Sequence, residues 1–171
     1  MGTMVTTAIK GDIDQRMTRR QFVRFMEPRL TFLFRFTFPD IGRLKLEAVG
    51  VARTVHGWHF VVTVVERIAN KELILIQTAL GSDYRRELGN LERSATMQGY
   101  SWNRLFSEKV NEITVRRKGR FFRLRQLLRL EAYDIKETGR FKTVGKEIFD
   151  HQCSKQLHEI IRQAERKPTW N

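Results

Sequence analysis

The chain has 171 residues, of which 41% are hydrophobic and 12 are Phe, so it can bury the core of one domain and is not disordered. It carries 32 Lys and Arg against 19 Asp and Glu, a net charge of +13. Charge of that size favours a polyanionic partner, and we predict nucleic acid rather than a membrane. The single cysteine excludes an internal disulfide, and no apolar stretch suits a signal peptide or a membrane span. We therefore expect a protein of the cytoplasm, the nucleoid or the nucleus, not a secreted one.

The first predicted elements are a tail and a short helix. Residues 1–16 are polar and lack periodicity, which is typical of a flexible tail. Thr18 and Gln21 have the spacing of a capping box, so a helix should begin after Thr18. Pro28 disfavours helical backbone at the residue before it, and we expect this helix to end at Glu27.

Alternating side chains then predict a run of strands. The clearest is 29–38, in which Leu or Phe occupies every second position. The segment 43–53 also alternates, and 58–65 is apolar on both faces, as in a central strand. A fourth strand is predicted over 73–80. Four strands separated by short reversals predict an antiparallel meander.

Helices are predicted after the strands. Ser82 or Asp83 can cap a helix that ends at Gly99, and Ser101 can cap a second helix directly after it. The last predicted element is a helix over 145–166, which carries an apolar stripe at helical spacing.

A basic hairpin is predicted between these helices. The turn 116–119 consists of Arg, Arg, Lys and Gly, and a strand should begin before it at 113–115. After the turn, 122–132 alternates well enough to favour a second strand, although its leucines also suit a helix. A further turn at 136–139 would lead into an extended segment over 140–144.

Together these elements predict an α+β fold: an antiparallel β-meander of about four strands followed by two helices, a basic β-hairpin and a C-terminal helix. We assign residues 17–171 to a single α+β domain. A division into two sheet–helix halves, 28–112 and 113–166, is an alternative that rests on the order of the elements alone.

The segment 116–146 is the strongest candidate for a binding surface. It contains eleven cations and three carboxylates, which accounts for +8 of the total charge. If 122–132 is a strand, Arg123, Arg125 and Arg129 share one of its faces, and Arg can bind phosphate oxygens in pairs. The alternatives are a solvated sheet face and an interface with an acidic protein.

Two other basic groups extend this prediction. One is the solvent face of the first sheet, where Trp58 could stack on a base or, alternatively, belong to the core. The other is an N-terminal arm that contains Arg16, Arg19, Arg20 and Arg24. The predicted nucleic-acid-binding residues are Arg116, Arg117, Lys118, Arg120, Arg123, Arg125, Arg129, Arg140, Lys142, Arg29, Arg35, Arg43, Lys45, Trp58, Arg19 and Arg20.

Motifs for catalysis and metal binding are weak. His56 and His59 lie three apart around a turn, a spacing that does not put both rings on one strand face, and Cys153 is expected in the core. The sequence has no glycine-rich phosphate loop and no nucleophile motif. We therefore predict a non-enzymatic protein that needs no cofactor and no metal.

Several alternatives stay open. The chain could be a structural subunit whose basic face meets an acidic protein, and it could form a homodimer. It could also be a metal-dependent nuclease that uses Asp40, Glu131 and Asp134. The sequence does not distinguish DNA from RNA, and it is compatible with replication, recombination, transcription control or ribonucleoprotein assembly.

Overall fold

The computed structural model describes the backbone of residues 7–98, 102–117, 120–131, 133–135, 141–143 and 148–170, and the side chains of residues 7–98, 102–105 and 148–170. The fold is α+β, as predicted. The helices are α1 (Arg19–Arg35), α2 (Asn70–Ala79), α3 (Tyr84–Thr96) and α4 (His151–Glu165). The strands are β1 (Thr7–Ile13), β2 (Thr37–Phe38), β3 (Gly42–Arg43), β4 (Leu46–Arg53), β5 (Trp58–Val64), β6 (Phe106–Arg117), β7 (Arg120–Glu131), β8 (Tyr133–Ile135), β9 (Phe141–Thr143) and β10 (Ile148–Phe149).

The central sheet has four antiparallel strands in the order β1-β5-β4-β10. β4 and β5 form a hairpin in which Val51 lies opposite Phe60. β1 pairs with the other side of β5, with Ile9 opposite Val62, and β10 adds two residues beside β4. The sheet is therefore antiparallel, as predicted, but it is not a meander. Its outer strands precede α1 and follow β9, so neither is connected to the hairpin by a short turn.

The segment 29–38, predicted as a strand, is helical as far as Arg35. Its buried positions lie three or four residues apart, and the stripe consists of Phe22, Met26, Leu30, Leu33 and Phe34. Burial of that stripe outweighs the alternating pattern, whose member Phe32 is 53% exposed. Pro28 does not end the helix, because it lies on the exposed side, where water can reach the carbonyl that it leaves unbonded.

The start of α1 confirms the capping box. The Thr18 hydroxyl accepts a hydrogen bond from the Gln21 amide at 3.3 Å, and Gln21 Oε1 accepts one from the Thr18 amide at 2.8 Å. The segment before it differs from its prediction. Residues 7–13 form β1, an outer strand of the central sheet, and are not part of a flexible tail, because Ile9 and Ile13 bury their side chains in the core.

The segment 73–80, predicted as a fourth strand, lies mostly in α2. Leu73, Ile76 and Leu80 are buried at helical spacing, whereas Leu75 is 68% exposed. A short apolar run suits either structure, and packing on the core face selects the helix here.

Other helix predictions are partly correct. Asp83 caps α3, since its carboxylate accepts from the Arg85 and Arg86 amides, but the helix ends at Thr96, and Gly99 lies outside the described residues. The helix predicted after Ser101 is wrong, because β6 begins at Phe106. The hairpin prediction is confirmed, with β6 and β7 antiparallel throughout. The last helix begins at residue 151 and not at 145, because β10 occupies 148–149.

The main core lies between one face of the sheet and helices α1 and α4. Trp58 is 1% exposed and stacks on Phe22, with ring centroids 4.6 Å apart, while its Nε1 donates to the Met17 carbonyl at 3.0 Å. Cys153 and Leu157 bring α4 into the same cluster, so the prediction that Cys153 is a core residue is confirmed. Burial raises the pKa of the Cys153 thiol to about 12.

The outer edge of β1 is covered by polar side chains instead of another strand. Gln77 Oε1 accepts from the Lys10 amide at 3.0 Å, and the Ser82 hydroxyl accepts from the Asp12 amide at 3.1 Å. Asn103 Nδ2 donates to the Ala8 carbonyl at 2.8 Å and Arg86 Nη1 to the Lys10 carbonyl at 3.1 Å. These side chains satisfy the backbone groups that an exposed edge would offer to another chain.

A buried carboxylate, Glu87, accepts hydrogen bonds from three of these four covering side chains, Gln77, Ser82 and Arg86. It is 3% exposed and accepts hydrogen bonds from Ser82 Oγ at 2.7 Å, Gln77 Nε2 at 2.9 Å and Asn90 Nδ2 at 3.0 Å, and from Arg86. Burial lowers the pKa of the Arg86 guanidinium, and the negative charge of Glu87 opposes that shift.

The edge of β4 is covered in the same way by α4. Ser154 Oγ accepts from the Val51 amide at 3.0 Å, Glu165 Oε1 accepts from the Leu46 amide at 2.6 Å, and Arg162 donates to the Leu46 carbonyl at 3.3 Å. The exposed sheet edges that would favour a homodimer are therefore blocked at these positions. The homodimer itself stays a prediction.

Two glycines should respond oppositely to alanine. A Cβ at Gly11 would lie 2.0 Å from the Phe60 ring, which is fully buried, so we expect Gly11→Ala to lower the free energy of unfolding by about 1–3 kcal/mol. Gly89 lies in α3, where a Cβ meets only the flexible end of Arg93 at 3.2 Å, so Gly89→Ala should raise it by up to about 1 kcal/mol. Urea denaturation checks both values. Equal effects of the two changes would contradict the packing argument.

Candidate nucleic-acid interface

Several of the predicted binding residues have structural roles. Arg43 donates to the Phe34 carbonyl at 2.9 Å and to the Ala164 and Lys167 carbonyls at 2.7 and 3.0 Å, so it binds the C-terminal ends of α1 and α4 together. Such carbonyls carry partial negative charge, which favours a cation there. The guanidinium of Arg43 is thus occupied within the fold.

Two more arginines are held by aromatic rings. The Arg35 guanidinium lies 3.6 Å from the centre of the Trp170 ring, and its Nε donates to the Pro168 carbonyl. Arg29 lies 3.7 Å from the Phe25 ring and donates to the Phe25 carbonyl. The solvent face predicted for a first sheet does not exist as such, because 29 and 35 lie on α1.

Trp58 and Lys45 are the remaining residues that were predicted for the solvent face of the first sheet. The proposal that Trp58 stacks on a base is contradicted by its burial, and the alternative that it belongs to the core is confirmed. The Lys45 side chain is exposed.

The structure instead forms a groove at the end of the sheet where β4 turns into β5. It has two lobes of about 650 and 460 Å³ that share the wall formed by residues 53–55. We define the end groove by the lining residues Arg16, Arg19, Arg53, Val55, Ile148 and Phe149. Arg53 lines both lobes, Arg19 lines the larger of the two and Arg16 the smaller.

The electrostatics of the end groove favour anions. Its walls include the first residues of α1 and α4, and neither helix has an acidic residue in its first turn. Instead, Arg19 and the exposed Arg20 occupy the first turn of α1, where the helix dipole is already positive. The carboxylate of Asp150 lines one lobe, but it accepts from Arg19 Nε and from the Cys153 amide, both at 2.9 Å.

Apolar and aromatic side chains form the rest of the end groove. Val55 is 63% exposed and Ile148 is 71% exposed. The half-buried Phe149 ring packs edge-on against His151, with centroids 4.3 Å apart. Arg53, Val55 and Phe149 were not predicted as site residues. Their positions depend on the pairing of β10 with β4, for which the sequence has no local signal.

The second basic surface is the pair β6 and β7, which we call the ribbon. Its two strands of twelve residues pair with each other from end to end, and within the described residues they form a separate two-stranded sheet. Twelve extended residues span about 40 Å. An isolated hairpin is marginally stable in water, so a ribbon of this length gains from contact with another surface.

Charge is unevenly distributed along the ribbon. The tip half consists of residues 113–117 and 120–124 and contains four cations and no carboxylate, and in the sequence Lys118, between the two strands, is a fifth cation. The base half, residues 106–112 and 125–131, contains three cations and three carboxylates. Glu112 lies opposite Arg125 in the register, and Glu108 lies opposite Arg129. The excess positive charge of the ribbon therefore lies entirely in its tip half.

The binding role predicted for the other cations of this region stays a prediction. Lys118 and Arg140 lie outside the described residues, and Lys142 is opposite Asp134 where β8 pairs with β9. For the remaining arginines of β6 and β7, the strand register fixes the position along the ribbon.

The described part of the chain offers neither a metal cluster nor a membrane-spanning helix. Among the side chains that the structure describes, no three His, Cys, Asp or Glu lie close enough together to hold a metal ion. His59 Nε2 lies 3.2 Å from Asp12 Oδ1 within the sheet. No helix among the described residues has the length and apolar character needed to cross a bilayer.

Comparisons with known proteins add no relative. The chain matches no family model, no curated protein and no solved structure.

Proposed function

We propose that the chain is a non-enzymatic nucleic-acid-binding protein and that the tip half of its ribbon makes the principal contacts with the phosphate backbone. The observation that carries the proposal is the separation of charge along the ribbon, because the stretch 113–124 has five cations and no carboxylate whereas the base half is neutral. Cations concentrated at one end without carboxylates repel one another, and a polyanion removes that repulsion.

The shape of the ribbon favours double-stranded nucleic acid. The major groove of B-form DNA is about 12 Å wide and admits a two-stranded β-ribbon. Some DNA-binding proteins place β-strands in a groove in this way. An arginine of the ribbon can then donate two hydrogen bonds to the oxygens of one phosphate. Contacts of this kind position the protein with little dependence on base sequence.

The first test is the salt dependence of binding. We expect the affinity for a fluorescein-labelled duplex to fall with a slope of about −4.5 in log K against log salt if all five tip cations release counterions. That slope corresponds to a loss of about 500-fold between 50 and 200 mM salt. Fluorescence anisotropy across a salt series measures it.

A flat salt response would contradict phosphate binding. A stoichiometric complex with an acidic protein that persists at high salt, without nucleic acid, would instead support the alternative of an assembly subunit. Both outcomes are read from the same protein preparation.

A further inference from the structure

We propose that the end groove is a second binding site, which takes an unpaired segment of nucleic acid. Its arginines would bind successive phosphates, and Phe149 would contact a base. The inference extends the proposed function to a second surface, but it rests on different residues and does not depend on the ribbon.

The groove has the size and the convergence of a binding site. Each lobe falls within the range of about 300–1,000 Å³ that is typical of ligand sites. Arg16 comes from the segment before α1, Arg19 from the first turn of α1 and Arg53 from the end of β4. The two lobes share residues 53–55, so Arg53 lines both of them, together with Arg19 in one lobe and Arg16 in the other.

The positive charge of the groove is not balanced by carboxylates, because its described lining residues include three arginines and one carboxylate, Asp150. The carboxylate of Asp150 is already engaged by Arg19 and by a helix amide. Arg53 lies 5.5 Å from the Trp58 ring, an arrangement that leaves its guanidinium donors available. Arg16 is exposed and makes no hydrogen bond or ion pair in the part of the chain that the structure describes. Arg19 is already engaged, since it donates to Asp150 and to Gln152 Oε1, but an anion can accept hydrogen bonds from Arg16 and Arg53 without displacing another acceptor.

The lining favours a nucleotide chain over an acidic peptide. Arginine forks match phosphate geometry, and the exposed apolar walls at Val55 and Ile148 suit the flat face of a base or a ribose. An aromatic ring such as Phe149 can stack only on a base that has left a duplex. The combination of cations and apolar surface is typical of sites for single strands.

The test uses a labelled decathymidylate and three single variants of the full chain. Arg16→Glu and Arg53→Glu should each weaken binding about tenfold, and the salt slope should fall by about 0.7 for each phosphate that the variant no longer neutralises. Phe149→Leu keeps an apolar side chain but removes the ring, and it should weaken binding about fivefold. The matched control is Arg67→Glu, an exposed arginine beyond the opposite end of β5, which should have little effect.

The outcomes separate this site from the ribbon. Duplex binding that persists in Arg16→Glu, while binding of decathymidylate falls about tenfold, supports the end groove as a distinct site. Equal losses in Arg16→Glu and Arg67→Glu would overturn it, because the effect would then come from net charge alone. Competition by an oligoglutamate peptide as strong as that by unlabelled decathymidylate would also overturn it, in favour of an acidic peptide. Thermal unfolding of each variant checks that it is folded. Arg16→Glu removes no hydrogen bond among the described residues, so it should fold and can test the site alone if Arg53→Glu is unstable.

Discussion

Replacing Glu87 by alanine is expected to lower the free energy of unfolding by about 3–5 kcal/mol. The change removes the acceptor for four side chains and leaves the buried guanidinium of Arg86 without its counter-charge. A loss of this size is a large fraction of the stability of a typical domain, which is about 5–15 kcal/mol. Gln77 and Ser82 would also lose the partner that orients them against β1.

Urea denaturation of the purified variant measures this loss. Glu92→Ala is the matched control, because Glu92 lies on the same helix but is exposed, and its effect should stay within about 0.5 kcal/mol. Glu87→Gln keeps the volume of the side chain and removes its charge, so it should fall between the two. If Glu87→Ala and Glu92→Ala had the same stability, the network would not hold the edge of the sheet.

Local signals predicted the parts of the fold that depend on neighbouring residues. The capping box at Thr18, the N-cap at Asp83 and the hairpin around 116–119 all rest on interactions within a few positions, and the structure contains the caps and both strands. The strand prediction for 29–38 was wrong because the apolar residues there fit both the two-residue period of a strand and the 3.6-residue period of a helix. The choice between them is made by α4 and the sheet, which are distant in sequence.

The candidate site was less accessible to sequence reasoning for the same reason. Arg43 is a surface cation in the sequence, yet its role depends on two helix ends that meet in three dimensions. The end groove requires β10 to bring Phe149 beside Arg53 across about a hundred residues of chain. The composition predicts a basic surface. Only the fold shows that some arginines, such as Arg43, bond to other parts of the chain, whereas others, such as Arg53, line a groove.

The largest effect on binding is expected from the tip of the ribbon. Changing Arg116, Arg117 and Arg120 together to alanine should weaken binding to duplex DNA about a thousandfold, because each arginine–phosphate pair contributes about 1.4 kcal/mol. The salt slope should fall by about 2.7, since three fewer counterions would be released. Anisotropy titrations against the same labelled duplex measure both quantities.

The base half supplies a control of equal charge. Changing Lys109, Arg125 and Arg129 to alanine also removes three cations, but two of these have a carboxylate opposite them in the register. Both triple variants carry the same net charge, so any difference in affinity must come from short-range interactions, since charges are screened beyond about 8 Å in physiological salt. A large loss in the tip variant alone supports the ribbon as the principal binding surface. Equal losses would mean that the ribbon acts only through the overall field, and unchanged binding in both would place the interface elsewhere on the chain.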